Sequence, residues 1–81
     1  MIHELKIDDN YLLNLIKGTK KNEIRYNDRD YQIDDVLRFY PSFDTEGLSD
    51  YLYFKIVHIH SGLGMAKNYI CLSLEKTTLD A

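Results

Sequence analysis

Residues 18 to 25 read Gly-Thr-Lys-Lys-Asn-Glu-Ile-Arg, the densest run of side chains in this sequence able to do chemistry. Gly18 permits a tight backbone and lets a ligand approach it closely. Lys20 is a compact charge that desolvation can turn into a base or nucleophile. The planar fork of Arg25 suits a phosphate or a base edge, and Glu23 can pin that fork or accept from an exocyclic amine. Thr19, Lys21, Tyr26, Asn27 and Arg29 flank the group, with Tyr26 offering a ring on which a base could stack. Gly18, Thr19, Lys20, Lys21, Glu23, Arg25, Tyr26, Asn27 and Arg29 are therefore the candidate nucleic-acid or nucleotide-binding set. The bland alternative for Lys20, Glu23 and Arg25 is a surface ladder of ion pairs, which stabilises little.

The charge distribution narrows the ligand. The whole chain carries −3, yet the window from Lys17 to Arg29 carries +3, with Lys17, Lys20, Lys21, Arg25 and Arg29 against Glu23 and Asp28. An acidic body disfavours a broad polyanion groove, which needs many cations to release counterions. A local cationic patch instead suits a few phosphates or one nucleotide.

The elements that must position this set follow from periodicity. Ile2 to Ile7 alternates and predicts a first strand. Asp8, Asp9 and Asn10 open a helix whose apolar face carries Tyr11, Leu12, Leu15 and Ile16, and Lys17 with Gly18 closes it. Lys20 to Asn27 predicts a second strand, with Ile24 and Tyr26 on one face and Lys21, Glu23 and Arg25 on the other. A turn at Asn27 to Asp30 leads to a third strand, Val36 to Phe43, which Pro41 places near an edge or bulge. Residues 44 to 50 predict a polar loop, and Tyr51 to His60 a long central strand with apolar residues on both faces. Ser61 to Lys67 predicts a mobile loop, Asn68 to Glu75 a closing strand, and the tail from Lys76 a frayed end. One early helix and five to six short strands in 81 residues predict a single mainly β (α+β) domain, a small, strongly curved sheet or closed barrel with the helix plugging one open end.

On these residues the sequence resembles a known family. The spacing G-x-K-x-x-E-x-R after a capped helix is the signature of ASCH domains, in the PUA-like superfamily of RNA-binding β-barrels. His3 to Ile7, Glu23-Ile24-Arg25, Asn27-Asp28-Arg29-Asp30 and the closing Tyr69 to Leu74 are similar to a short ASCH-like group of bacteria and phages, so the likeness spans nearly the whole chain. Asp34-Asp35 stands where that group usually has Gly-Asp, and Tyr26 where a cation is common. The resemblance implies RNA or nucleotide recognition. Some relatives in that family are instead enzymes that hydrolyse acylated cytidine nucleosides or cleave RNA, and in those the signature lysine, here Lys20, is catalytic. Glu23 would then stand as the signature carboxylate, with Glu75 a candidate second one.

Other features support fewer roles. His58 and His60 share a strand face that His3 could approach, but no cysteine or acid cluster completes a metal site, and no cofactor is expected. Tyr26, Tyr40, Tyr51 and Tyr53 could form a stacking platform, although strand aromatics more often pack. Cys71, the single cysteine, lies among Tyr69, Ile70, Leu72 and Leu74 and reads as a buried, inert thiol in a reducing compartment. No signal-peptide pattern or membrane-length apolar run is present, so a cytoplasmic protein is expected. The expected partner is RNA or a nucleotide-like ligand and not a membrane; a protein-interaction module is the remaining alternative, and the oligomeric state stays open.

Overall fold

The computed structural model describes residues 1–40 and 52–78. The chain runs β1 (Ile2–Lys6), α1 (Asp9–Lys17), β2 (Asn22–Tyr26), β3 (Val36–Tyr40), β4 (Tyr53–Ser61) and β5 (Tyr69–Lys76). The start of the predicted fourth strand at Tyr51, the end of the third at Pro41 to Phe43, the loop 44–50 and residues 79–81 lie outside the described residues. Among the described residues no helix is long and apolar enough to cross a membrane.

Helix α1 forms where its end signals place it. The Asp8 carboxylate accepts from the Asn10 N–H at 2.8 Å, and Asp9 and Lys17 match the positive and negative ends of the helix dipole. Gly18 ends the helix in the left-handed region, at φ 85°, and its N–H donates to the carbonyls of Asn14 and Leu15. Leu12 and Leu15 enter the core, Ile16 packs against it, and Tyr11 stays half-exposed beneath the Lys20 ammonium, 5.3 Å from its ring centre.

The five strands make one mixed sheet in the order β1-β3-β4-β5-β2, parallel only between β1 and β3. Consecutive strands β1 and β2 thus lie at opposite edges, and α1 carries the chain from one edge to the other. The sheet curls into a half-barrel, with Leu12 and Leu15 of the helix packed among its inward residues. Of the two forms expected, the strongly curved sheet is the one found, and the barrel stays open at a seam between β1 and β2. Nη2 of Arg25 on β2 bridges that seam by donating to the Lys6 carbonyl at the end of β1.

A bulge explains the pattern of β4. Ile56 pairs with Leu74 but His58 pairs with Ser73, so Val57 is an extra residue that bends the strand and reverses its alternation. Phe54 and Ile56 point inward before it; Ile59 packs against the core after it, while His58 and His60 are exposed. Apolar residues of both parities in β4 thus reflect a phase change, not two buried faces. The predicted mobile loop is built from turns, with Met65 N–H donating to Gly62 O at 2.8 Å and Tyr69 N–H to Ala66 O at 3.0 Å. Asp34, where the resembling group usually has glycine, sits at φ 76°, so the backbone keeps a left-handed turn that an aspartate tolerates.

A Cβ at Gly18 would meet nothing within 4 Å, so substitution there is opposed by backbone strain alone. Gly18→Ala should lower stability by about 1–2 kcal/mol, and Gly18→Asn by clearly less, in urea unfolding. Equal losses for the two, or none for alanine, would contradict the left-handed cap.

Candidate functional site

Strand β2 inverts the usual alternation. Ile24 is 57 % exposed on the outer surface, whereas Glu23 is only 6 % exposed on the inner face, with Arg25 beside it half-buried. Burying a carboxylate is costly unless cations and hydrogen bonds replace the lost water. Two cations do approach: Lys20 Nζ lies 3.6 Å from Oε1 of Glu23, and Arg25 Nε lies 3.2 Å from Oε2. The Arg25 contact is close enough for ion pairing, yet the Nε–H is misaligned, and among the described residues this buried nitrogen has no hydrogen-bond partner. Burial therefore outweighs the attraction of Arg25 and Lys20, and the Glu23 pKa is raised above the ordinary carboxylate value. A carboxyl whose pKa is raised between two cations can orient a ligand or exchange a proton with it.

Two clefts flank this triad. The junction cleft, about 410 Å³, lies between the end of α1 and the sheet; Gly18, Lys20, Lys21, Glu75 and Lys76 line it above Leu15, Phe54, Val57 and Leu74. The seam cleft, about 500 Å³, opens between β1 and β2 and is lined by Glu4, Leu5, Lys6, Arg25, Tyr26, Asp28, Arg29, Tyr31 and Tyr40. The predicted set is thus divided, with Gly18, Lys20 and Lys21 in one cleft and Arg25, Tyr26 and Arg29 in the other. Glu23, Thr19 and Asn27 line neither; Glu23 lies between the clefts, reaching each only through Lys20 or Arg25. The Thr19 hydroxyl bonds to Asn14 at the helix end, and the Asn27 N–H donates to the Asn68 carbonyl at 2.8 Å.

The other candidates find different partners. His3 is buried, with Nε2 2.8 Å from Oδ2 of Asp35, so it does not join the exposed His58 and His60. His60 Nε2 instead meets the Leu63 carbonyl at 2.7 Å. Burial pushes the Asp35 pKa up, but hydrogen bonds from His3, the Gln32 N–H and the amino-terminal ammonium overcome it and hold the carboxyl low. The tyrosines do not assemble into a platform among the described residues. Tyr40 and Tyr53 clamp the Arg38 guanidinium, 4.3 and 5.7 Å from their ring centres, and Tyr26 meets Tyr69 edge to face. Cys71 is half-buried on the outer face, opposite to Ile70, Leu72 and Leu74, so the fully buried thiol expected from its apolar neighbours is corrected by strand alternation.

Tyr31, Asp35 and Lys6 are the residues that sequence reasoning missed. Tyr31 and Asp35 fall in the irregular segment between β2 and β3, where no periodicity reveals an inward side chain. The only available signal was Asp34-Asp35 replacing a Gly-Asp pair: Asp34 takes the turn, and Asp35 turns inward to His3.

The raised Glu23 pKa has a consequence for stability. Its favourable contribution is fully present below the unfolded value near 4.5 and is lost as pH rises through the higher folded value. In urea unfolding at pH 4, 5.5 and 7, Glu23→Gln should gain stability relative to wild type as pH rises. A difference that stays constant or shrinks would show that the two cations fully compensate the buried charge.

Comparison with known proteins supplies one family. Among curated proteins none matches the sequence. A family model matches residues 2–74, which include β1 to β4, the helix, β5 as far as Leu74 and the Lys20–Glu23–Arg25 triad. The chain belongs to the family described as a domain of unknown function (DUF3850).

Proposed function

We propose that this domain recognises single-stranded RNA or a nucleotide at the junction between α1 and β2. The observation that carries the reading is the Lys20–Glu23–Arg25 triad, with Glu23 and Arg25 on the inner face of a strand whose apolar residue points outward and Lys20 reaching them from just before it. Placing charges inside and Ile24 outside costs stability, and local rules are most often broken where function requires it. The junction cleft offers an apolar floor for a ring and three lysines, Lys20, Lys21 and Lys76, for phosphates, with Glu75 as the opposing charge. Its size falls within the range of small-ligand sites. The same reading treats the half-barrel as an ASCH-like member of the PUA-like superfamily acting in the cytoplasm. The capped helix at Gly18 and the inward Lys, Glu and Arg support that assignment.

Fluorescence anisotropy with a short single-stranded RNA tests it. If about three phosphates are neutralised, log K should fall against log salt with a slope of roughly −2. Lys20→Ala and Lys21→Ala should each weaken binding and reduce that slope by about 0.7. Affinity independent of salt, or none for any RNA, contradicts the proposal.

A second reading is a small hydrolase acting on acylated cytidine nucleosides or RNA. The 3.6 Å approach of Lys20 to a carboxyl with a raised pKa favours it, since such a pair could pass a proton during attack. Turnover of acylated cytidine that Lys20→Met reduces at least about 100-fold would support it. No turnover by wild type on acylated cytidine or short RNA leaves binding alone.

A further inference from the structure

The seam cleft has the features of a second binding site, separate from the junction cleft. Its base is Tyr31, which is 5 % exposed and held from two sides. The His3 ring packs on it at 4.7 Å between centres. Asp35, which receives His3, also accepts from the N–H of Gln32 at 3.0 Å and so fixes the backbone beside the tyrosine. Burial raises the Tyr31 phenol pKa against the attraction of Arg25 and Arg29, and both arginines line the same cleft. Tyr31 is thus a protonated donor at the base of a cleft that two arginines also line.

The surrounding charges leave an anion site. Arg25 is fixed from behind by Glu23 and the Lys6 carbonyl. Lys6 and Arg29 add two further cations to the cleft, against Glu4 and Asp28. Glu4 lies close enough to the Tyr40 hydroxyl to push its pKa up, so part of its charge is directed at that tyrosine. Two exposed tyrosines, Tyr26 and Tyr40, stand among the lining residues, and Arg38 covers the Tyr40 ring. Guanidinium groups, a phenol O–H and aromatic walls together match a phosphate joined to a planar ring.

The geometry points to the seam cleft as a subsite for a nucleoside monophosphate, free or at the end of a strand, with Tyr31, Arg25 and Arg29 on the phosphate and Tyr26 or Tyr40 against the base. It deepens the proposed function by giving the ligand class a second location, and it rests on that reading for the choice of nucleotide.

Calorimetric titration with cytidine 5′-monophosphate, cytidine and inorganic phosphate decides it. Wild type should bind the monophosphate more tightly than either fragment. Tyr31→Phe and Arg29→Ala should each weaken it about tenfold, the scale of one charge-assisted hydrogen bond, while Lys67→Ala, at an exposed lysine that lines neither cleft, leaves it within about twofold. Arg29 is exposed, so its variant decides the matter alone if Tyr31→Phe fails to fold. Loss with Lys76→Ala in the junction cleft but not with Arg29→Ala overturns the subsite, as does equal affinity for cytidine or no binding of the monophosphate. If RNA binds while Arg29→Ala is without effect on the monophosphate, only the subsite falls. If the monophosphate binds with the predicted pattern and no RNA binds, the subsite stands and the RNA reading falls.

Discussion

A carboxylate placed inside a curled sheet needs its compensating charges within a few ångströms, and Glu23 imposes that requirement here. Lys20 and Arg25 meet it from the same short segment, one before the strand and one within it. Arg25 can do so only because the sheet curls far enough to bring the end of β1 against β2, where its guanidinium finds the Lys6 carbonyl. Lys20 can do so only because α1 stops at Gly18 and delivers the next residues to the mouth of the half-barrel. The helix length, the cap and the open seam are therefore all coupled to one buried acid.

That coupling also explains why the molecule carries two clefts. A closed barrel would pair β1 with β2 through backbone hydrogen bonds and leave no opening between them. The half-barrel leaves the seam to a side chain, and space remains on both sides of the triad. An acidic protein with a narrow cationic belt is suited to a small anionic ligand, because repulsion from the body opposes longer polyanions.

Local signals were legible in the sequence. The Asp8 cap, the Leu12–Leu15 face, the Gly18 stop and the inward Ile70, Leu72 and Leu74 all follow from periodicity and capping chemistry. The direction of β2 was legible only in part: alternation separates Ile24 and Tyr26 from Glu23 and Arg25, but hydrophobicity would turn the wrong set inward. The bulge at Val57 was hidden because an extra residue in an apolar strand looks the same as two buried faces. The His3–Asp35 pair was hidden for another reason. Its partners are 32 residues apart and one lies in an irregular segment, so only tertiary structure brings them together. Consequently the octapeptide was found as a unit, and its division between two clefts was not.

The protonation of Glu23 reports most directly on the central claim that this buried acid and its cations form a ligand site. The Glu23 side-chain carboxyl resonance can be followed by NMR from pH 3 to 8, with and without a short single-stranded RNA. The account predicts a midpoint above the ordinary carboxylate value in the free protein. It also predicts a further rise with RNA, because phosphates add negative charge and draw Lys20 and Arg25 away. A midpoint at or below the ordinary value, unmoved by RNA, would contradict it.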